Sequence, residues 1–526
     1  MHILKGGKLM KRKGIIELIK VTLFVSVFLT VFAIASGDKA MAQGSKPVRD
    51  LVIAYEGDPD TLDLSSSRHE PTAAPVAQNV VEYLCGITTD GKLVPGISSW
   101  KLAPDNMSID FRLRKGVKFH SGDPLTTKDV LFSYQRLREK TQAPNMRWVA
   151  GIEIIDELNF RIRFKQPDVL FLKMRAFPIV SKSYYDRVGE AEFIKAAVGT
   201  GPYKVINWKS AEYADMERFD DYWGEIPPVK KVRFRFVKED TTRIAMLKAG
   251  EADLITSTPY AMVNDVEKAG FKTKRLPAHP TTQVQFHNLN PEVPWYDKRV
   301  RLAIANAIDG DAIVKNLLHG IPARVWLSPW EVGYDPDLKL YDYNPAKAKQ
   351  LLAEAGYANG FEMPLYYWAG RTTGQKETTE AVALYLKAIG IKCNIIGWEP
   401  VKMIESIQTK WHNNPKAVYV GVATPPIAHQ VDPLNGFRTS YWSESPISLY
   451  SNPAFDKIYI QALKEFDDDK RAELIKQGLR LLRDDVATVP IWANVSVYAM
   501  KPDIEFTPTF RAMSALVLVK DIKIAQ

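Results

Sequence analysis

Apolar and polar side chains alternate from Ile109 to Leu113, which is the pattern of a strand with one buried face. A turn is predicted at residues 121–124, where the sequence reads SGDP. Thr126 and Asp129 follow with the spacing of a helix-capping pair, and apolar side chains then recur at helical intervals. The segment therefore predicts a strand, a turn and a helix in succession.

The two periodicities continue to alternate along the rest of the chain. Strands are predicted at Leu51–Tyr55, Gly151–Ile155, Phe160–Phe164, Val232–Val237, Thr282–Leu289, Ile391–Ile396 and Val489–Met500. Helices are predicted as a short stretch ending near Gly86, from a cap at Thr241 to Lys248, from a cap at Asn344 to Gly356, and at Lys376–Ile389, Pro453–Glu465 and Asp468–Asp485. This alternation predicts an α/β protein.

The first 42 residues have the composition of a secretory signal peptide. A basic region precedes the apolar run Val21–Ala35, and residues 40–42 (AMA) have the small-residue pattern of a cleavage site. The apolar run is shorter than the ~20 residues that span a bilayer, so cleavage is favoured over a permanent anchor. No Cys lies at the cleavage site. We therefore expect a periplasmic protein without a lipid anchor.

The charge distribution argues against nucleic acid as a partner. The chain carries 70 Lys and Arg against 61 Asp and Glu. The first 42 residues hold seven of these basic and two of these acidic side chains, which leaves 63 against 59 in the remainder. The remaining charges are interspersed rather than clustered, so no nucleic-acid surface is predicted. Cys85 and Cys393 are interpreted as separately buried thiols, although export would permit a disulfide.

Three patterns that resemble reactive sites are interpreted as structural. Residues 86–92 match a phosphate-binding loop, but Leu93 stands where Ser or Thr would bind magnesium, and the Pro-Gly that follows prevents a helix. His120, Ser121 and Asp123 crowd into one turn, where turn hydrogen bonds are the ordinary role of such side chains. The eight His residues and the cysteines lack metal-ligand spacing. We therefore predict neither an enzyme nor a bound metal or cofactor.

Several short motifs follow one another along the chain. One is LRKGVKFHSGDPLTTKDVLFS at residues 113–133, and others lie at residues 58–63, 90–96, 199–203, 221–223, 297–309, 344–357 and 489–491. The set and its order resemble the bacterial extracellular solute-binding proteins of the peptide/nickel class, the receptors of ABC importers. Each motif alone is unspecific, but the ordered set covers nearly all of the chain after the predicted signal peptide.

The resemblance implies a two-lobed α/β periplasmic binding protein of the peptide-receptor type, built as three domains with a discontinuous first domain. After the signal peptide at residues 1–42, the first domain would comprise residues 43–84, 199–288 and 493–526. Residues 85–198 would form an inserted second domain, and residues 289–492 would form the third. The ligand would bind between the first and third domains.

Aromatic side chains and one segment near residue 430 supply the predicted ligand contacts. The chain has 12 Trp, 22 Tyr and 22 Phe, and several of these rings lie in predicted loops, where they can line a ligand cleft. The predicted ligand-binding residues are Thr424, His429, Arg438, Tyr441, Trp442, Trp330 and Trp368. Arg438 and His429 would meet carboxylate or hydroxyl groups, and a solvated Arg438 is the alternative.

One acidic residue that the resemblance leads us to expect is missing. In peptide-binding relatives an Asp shortly before an Asp-Pro pairs with the terminal ammonium of the peptide, and Asp432-Pro433 resembles that Asp-Pro. No acidic residue occurs between Glu405 and Asp432. A buried ammonium without a partner costs several kcal/mol. Peptides with a free terminal ammonium are therefore not expected to be the best ligands.

The combined interpretation is a monomeric periplasmic receptor that delivers an oligopeptide or peptide-like small molecule to a membrane-embedded ABC permease by lobe closure. It would need no cofactor and bind no nucleic acid. Two alternatives stay open: the same fold for a non-peptide ligand such as a carboxylate, a sugar or a metal chelate, and a receptor that feeds a chemosensory protein. An exported hydrolase is disfavoured, because no nucleophile, base and orienting group can be assembled from the sequence.

Cleavage after Ala42 should leave a chain that begins at Gln43. Intact-mass measurement and N-terminal sequencing of the protein from the periplasmic fraction test this directly. A full-length chain retained in the membrane would contradict the signal-peptide interpretation.

Overall fold

The computed structural model describes most of the chain after the predicted signal peptide. The described residues are 50–59, 61–65, 70–88, 92–141, 146–195, 198–322, 325–327, 329, 331–369, 372–412, 414–423, 432–508 and 516–525. They all belong to one compact unit. The predicted signal peptide and its cleavage site lie outside these residues.

Strands occur throughout the described residues. They are β1 (Leu51–Tyr55), β2 (Cys85–Ile87), β3 (Leu93–Pro95), β4 (Ser98–Leu102), β5 (Ser108–Leu113), β6 (Val149–Ile154), β7 (Asn159–Phe164), β8 (Tyr203–Lys209), β9 (Tyr213–Arg218), β10 (Lys231–Phe236), β11 (Leu254–Ile255), β12 (Lys272–Phe286), β13 (Phe361–Trp368), β14 (Ile391–Trp398), β15 (Val420–Ala423), β16 (Thr488–Met500), β17 (Ile504–Phe506) and β18 (Ile522–Ile524).

Helices alternate with the strands. They are α1 (Glu70–Ala77), α2 (Thr127–Thr141), α3 (Val169–Lys173), α4 (Lys182–Val188), α5 (Glu190–Phe193), α6 (Asp240–Ala249), α7 (Val263–Lys268), α8 (Lys298–Ala307), α9 (Gly310–Ala312), α10 (Pro345–Glu354), α11 (Gln375–Lys387), α12 (Pro400–Ser406), α13 (Leu434–Gly436), α14 (Pro453–Lys464) and α15 (Asp468–Asp484). Wider π-type turns extend α9, α12 and α13 over Ile313–Leu317, Ile407–Trp411 and Phe437–Tyr441, and short 3-10 turns lie at Tyr260–Met262, Pro294–Tyr296 and Val519–Asp521.

Among the described residues, ten strands form one mixed sheet in the order β14-β13-β15-β12-β16-β11-β1-β10-β9-β8. The long strands β12 and β16 lie at its centre and pair with each other over nearly their whole length. Their register shifts between Pro277 and Thr281 and again between Thr282 and Gln283. This long central pair, which we call the ribbon, joins the two halves of the sheet.

The predicted strand at Ile109–Leu113 is part of β5, which lies in a separate antiparallel sheet of order β4-β5-β7-β6. Its buried face carries Phe111 and Phe160, whose rings stack with centroids 5.1 Å apart. The predicted capping pair is confirmed, because the backbone N–H of Thr126 donates to Asp129 Oδ2 at 2.9 Å. Helix α2 follows as expected, with Val130 and Leu137 buried against the sheet.

Most predicted elements are confirmed within a few residues, and the cap at Asn344 accepts from the N–H of Lys347 at 2.9 Å. Three predicted boundaries were wrong. Helix α1 ends at Ala77 rather than near Gly86, because the chain enters β2 at Cys85. Glu239, not Thr241, occupies the N-cap position of α6.

The third wrong boundary is the start of β12, which begins at Lys272 instead of Thr282. Prolines occupy positions 277 and 280 in this stretch, and proline cannot donate to a sheet ladder. In the structure the first register shift of the ribbon falls at this point, between Pro277 and Thr281. The strand therefore passes through the prolines by leaving its regular pairing.

A fully buried ion pair fixes the Asp-Pro motif in the fold. Arg471 on α15 donates through Nε to Asp432 Oδ2 at 3.0 Å, and both side chains are 0% exposed. Asp432 Oδ1 also accepts from the N–H of Leu434. The Asp432 carboxylate is thus used within the protein. Cys85 and Cys393 are both free thiols, as predicted, but only Cys85 is buried, and Cys393 is half-buried.

Removal of Arg471 should destabilise the protein far more than removal of Arg480 from the same helix. Arg471→Ala leaves the Asp432 carboxylate buried without its charge partner, which typically costs about 3–5 kcal/mol. Arg480 is 55% exposed and its partner Asp335 is 4% exposed, so water still solvates the arginine, and its removal should cost less than removal of a fully buried partner. Thermal unfolding of the two variants beside the parent measures the difference. Equal shifts of the melting temperature would contradict the structural role of the buried pair.

Candidate ligand-binding site

Two sets of parallel strands lie on opposite sides of the ribbon, and their carboxyl ends face each other. β1, β10 and β11 share the direction of β12, because β11 and β12 are both antiparallel to β16. β13, β14 and β15 run the opposite way, because β15 is antiparallel to β12. Ligands of open α/β sheets bind outside the carboxyl ends of strands. We call the region between these ends, from Ile255 of β11 to Ala423 of β15, the crevice.

Glu56 directly follows β1 and supplies a carboxylate at the first set of strand ends. Its Oε1 accepts from the hydroxyl of Ser257 at 2.7 Å, and its Oε2 accepts from the hydroxyl of Thr256. Thr258 is 1% exposed, and its hydroxyl has no hydrogen-bond partner among the residues that the structure describes. The hydroxyl groups of Thr256 and Ser257 therefore fix the orientation of the Glu56 carboxylate, whose oxygens can still accept further hydrogen bonds.

The buried guanidinium of Arg243 holds these strand ends in place. It donates to the carbonyl oxygens of Thr256 and Ser257 after β11, at 3.0 Å each. It also donates to the carbonyl oxygens of Val237 and Lys238 after β10, at 2.8 and 2.7 Å. Desolvation by burial lowers the pKa of Arg243, and the charge of Glu56 opposes this shift. One side chain thus fixes the ends of two neighbouring strands.

Polar side chains also line the ribbon near the second set of strand ends. The hydroxyl of Tyr441 donates to Gln283 Oε1 at 3.2 Å and lies 3.1 Å from the hydroxyl of Thr488. Thr281 donates to the carbonyl oxygen of Trp326 at 3.0 Å. Gln283 is 2% exposed, and its Nε2 has no partner among the described residues. An unpaired buried donor costs about 1–3 kcal/mol, so this position is suited to meet a ligand acceptor.

Helix α3 packs against the segment 434–459 on the same side. Val169 and Leu170 share one buried apolar cluster with Leu434, Phe437, Tyr441 and Tyr459. At the margin, Lys173 pairs with Asp468 at 3.2 Å, and Arg147 pairs with Glu444 at 2.7 Å. These contacts join residues close to the four-stranded sheet to residues that follow β15, whose carboxyl end lies at the crevice.

The structure describes four of the seven predicted ligand-binding residues. Thr424, His429 and Trp330 lie outside the described residues. Arg438, Tyr441 and Trp442 lie together in the cluster against α3, and each is 4–6% exposed. Trp368 is 1% exposed and packs in a separate cluster with Met403, Ile407, Trp411 and Tyr419. No ligand contact is established for any of the seven, so all remain predictions.

Glu56, Arg243, Gln283 and Asp168 are polar residues near the crevice or the α3 contact that the sequence analysis did not single out. Asp168 caps α3 by accepting from the N–H of Leu170 at 3.0 Å. A polar residue directly after a predicted parallel strand is a usable signal for Glu56, because such strand ends meet at one edge of a sheet. Gln283 bonds to Tyr441, 158 positions away, so its local sequence carries no signal. Arg243 and Asp168 have partners nearby in the sequence, but these indicate only ordinary backbone contacts and a helix cap.

The turn around His120 has the structural role that was predicted. His120 Nε2 lies 2.8 Å from the carbonyl oxygen of Gly201, and Ser121 donates to Asp123 Oδ2 at 2.7 Å. Burial lowers the pKa of His120 to about 4. The hydroxyl of Ser121 is therefore directed to a carboxylate rather than to the imidazole, and these three residues form no catalytic triad.

Metal-binding clusters and membrane-spanning helices are both absent from the described residues. In that part of the chain no group of three His, Cys, Asp or Glu side chains is placed to hold a metal ion. The described helices are also too short or too polar for any to cross a bilayer.

The central ribbon, the opposed strand ends and the polar crevice define a ligand-binding protein of the periplasmic binding-protein type. Residues 92–444 match the family of bacterial extracellular solute-binding proteins, family 5, in its middle region. The chain belongs to this family, whose members are non-enzymatic receptors. It is therefore a solute-binding receptor that delivers a ligand to an ABC transporter.

Relatives and solved structures agree with this assignment. The glutathione-binding protein GsiB of Escherichia coli K12 is 27% identical over 469 residues, which cover 86% of this chain and 90% of GsiB. The structure of NikA from Brucella suis with Fe(III)-EDTA has a TM-score of 0.79 at 22% identity, covering 91% of this chain and 100% of NikA. DppA from Helicobacter pylori with the peptide STSA has a TM-score of 0.77 at 24% identity, covering 91% and 98%. The two structures establish the shared fold.

Replacement of His120 should remove a dependence of stability on acid without changing ligand affinity. The folded protein holds His120 neutral down to a pKa of about 4, whereas an unfolded His takes up a proton below ~6.5. The stability that His120 contributes is therefore present above pH ~6.5 and is lost as the pH falls towards 4.

Denaturant unfolding between pH 7 and 4 compares the parent with His120→Gln, and ligand titration at pH 7 provides the second readout. We expect a flatter stability profile for the variant with an unchanged dissociation constant. A marked loss of affinity at pH 7 would show that His120 belongs to the binding site.

Proposed function

We propose that this receptor binds a peptide or a peptide-like small molecule in the crevice. The observation that carries the proposal is that buried polar groups lie between two opposed sets of strand ends. The most informative of these groups is Gln283 Nε2, which has no partner among the described residues. The names of two relatives support it, since GsiB is a glutathione-binding protein and DppA holds the peptide STSA.

The three-domain arrangement is part of the proposal. Residues 43–84, 199–288 and 493–526 form the first domain, residues 85–198 the second and residues 289–492 the third. With these boundaries β12 lies in the first domain, and β16 begins in the third domain and enters the first at residue 493. Closure of the two lobes buries the ligand, and contacts made only in the closed state set the affinity. The closed receptor then binds a membrane-embedded ABC permease as a monomer.

The seven predicted ligand-binding residues stay in the proposal. Tyr441 is the best supported of them, because its hydroxyl bonds to Gln283 on the ribbon. Thr424 and His429 follow β15 in the sequence and lie outside the described residues. Export by a signal peptide of 42 residues places the receptor in the periplasm.

The receptor has no catalytic activity in this proposal. Family membership supports this, because the family consists of binding proteins. The hydrogen bonds of the His120 turn agree with it, since Ser121 donates to Asp123 while His120 Nε2 lies against the carbonyl oxygen of Gly201.

A non-peptide ligand is the second candidate, favoured by one observation. The interval between Glu405 and Asp432 has no acidic residue, and the carboxylate of Asp432 is occupied by Arg471. The usual counter-charge for a peptide ammonium is therefore missing from its position in this segment. The structural neighbour NikA holds Fe(III)-EDTA, a carboxylate-rich chelate.

Linear peptides with a free terminal ammonium should bind no better than the same peptides after N-acetylation. A thermal-shift and calorimetric screen of the mature protein compares such pairs beside polycarboxylates, sugars and metal chelates. A ligand at 100 times its dissociation constant adds about 2.7 kcal/mol of stability. Much tighter binding of the free amines would establish an ammonium site for linear peptides and contradict the expectation. Failure of every compound class to bind would contradict the proposed function.

A further inference from the structure

Two opposite charges are buried at the α3 contact without pairing directly. The guanidinium of Arg438 is 6% exposed and the carboxylate of Asp168 is 2% exposed. Each shifts the pKa of the other, so they lie within electrostatic reach. Among the described residues, however, neither has an ion-pair partner: Arg438 Nη2 donates to Asn435 Oδ1 and lies 3.7 Å from Met174 Sδ.

Four other buried arginines, Arg136, Arg243, Arg301 and Arg471, donate to carboxylates or to backbone carbonyl oxygens. Arg136 donates to Asp63 Oδ2 at 2.7 Å, and Arg471 donates to Asp432 Oδ2 at 3.0 Å. Arg243 and Arg301 each bond to four backbone carbonyl oxygens. Arg438 differs, because its Nε has no partner among the described residues.

A second orphaned group lies beside this pair. Tyr459 is 0% exposed, and its hydroxyl has no partner among the described residues. The charges of Arg438 and Asp168 both act on it. A buried guanidinium N–H and a buried hydroxyl without partners among the described residues, beside a buried carboxylate, indicate a place for a polar group that these residues do not supply.

The place adjoins the ligand-binding crevice. Arg438 lies one helical turn before Tyr441, whose hydroxyl reaches Gln283 on the ribbon. Trp326, whose carbonyl accepts from Thr281, belongs to the same buried cluster as Tyr441 and Tyr459. The orphaned groups are thus continuous with the polar side chains of the crevice.

We propose that Asp168, Arg438 and Tyr459 bind the head group of an α-amino acid, with the ligand ammonium on Asp168 and the ligand carboxylate on Arg438. A group with both charges on one carbon satisfies a carboxylate and a guanidinium that do not touch each other. This inference rests on the proposed function and names its ligand class: amino acids and γ-glutamyl peptides such as glutathione. An ordinary linear peptide carries no carboxylate beside its terminal ammonium, so its ammonium would meet the Arg438 guanidinium without a charge to offset the repulsion and would gain nothing from Asp168.

The charge requirement makes binding depend on pH in a definite direction. Burial raises the pKa of Asp168 to about 6, with the charge of Arg438 opposing the rise. The groups that face Asp168 are the Arg438 guanidinium, the Tyr459 hydroxyl and the N–H groups of Leu170 and Phe171, with Arg147 acting on Arg438 and Tyr459. Only ionised Asp168 attracts an ammonium. Affinity should therefore fall as the pH drops below about 6, by roughly tenfold between pH 7 and 5.

The first test uses glutathione and four analogues in calorimetric titrations of the mature receptor. The α-linked isomer Glu-Cys-Gly keeps every atom but separates the two charges. Glutaryl-Cys-Gly lacks only the ammonium, 4-aminobutyryl-Cys-Gly lacks only the head carboxylate, and N-acetyl-glutathione masks the amine. We expect glutathione to bind at least about tenfold more tightly than each analogue, a difference of about 1.4 kcal/mol.

The second test assigns the charges to residues. Asp168→Asn retains a helix-capping side chain, and it should lose both the preference for the free amine and the dependence on pH. Arg438→Met should lose the preference for the head carboxylate. Asp467→Asn changes another capping Asp, on α15, and should bind like the parent. Circular dichroism confirms that each variant is folded, and Tyr459→Phe provides a milder variant should Arg438→Met fail to fold.

The outcomes separate this inference from the proposed function. If glutathione and its analogues bind alike, or affinity rises at low pH, the amino-acid site is wrong while the receptor assignment stands. Binding that is tight in all variants would likewise place the ligand elsewhere and leave Asp168 and Arg438 as structural groups. If no peptide or small molecule binds at all, the proposed function itself fails.

Discussion

Pairing between two long strands at the centre of the ten-stranded sheet is the constraint on which the rest of the structure depends. β12 and β16 cross from one half of the sheet to the other, and each half contributes parallel strands whose carboxyl ends point towards the middle of this pair. The register shifts near Pro277 interrupt regular pairing at that middle. The same geometry therefore joins two halves of the protein and creates the space between them.

Buried polar groups around that space are stabilised by different means, and the differences carry functional information. The buried guanidinium groups of Arg243 and Arg471 have structural partners. Arg243 donates to backbone carbonyl oxygens, and Arg471 donates to the Asp432 carboxylate. A buried charge without such partners costs several kcal/mol. Arg438 and Asp168 bear this cost in part, which is why they stand out as binding groups rather than as structural ones.

Local elements could be predicted from the sequence because their signals are local. The capping pair at Thr126 and Asp129 and the Asn344 cap lie within four residues of their partners. The start of β12 could not be predicted, because its partner β16 lies more than 200 positions away and the prolines between Lys272 and Thr282 argue against a strand.

The candidate site was predictable only in part for the same reason. The segment around Arg438 and Tyr441 is recognisable from its family motif and its aromatic residues. Asp168 faces Arg438 from an element 270 positions earlier, and its local sequence shows only a short helix cap. Because Asp168 and Arg438 come from elements distant in the sequence, neither the periodicity nor the residue spacing around them indicates that their charges lie close together.

The most direct measurement of the central claim is a crystal structure of the receptor with the ligand that co-purifies with it from cells. The account predicts ligand density between the two sets of strand ends, in contact with the middle of the ribbon and with groups from both halves of the sheet. Density elsewhere, such as on the outer face of the four-stranded sheet, with the region between Ile255 and Ala423 empty of ligand, would contradict it.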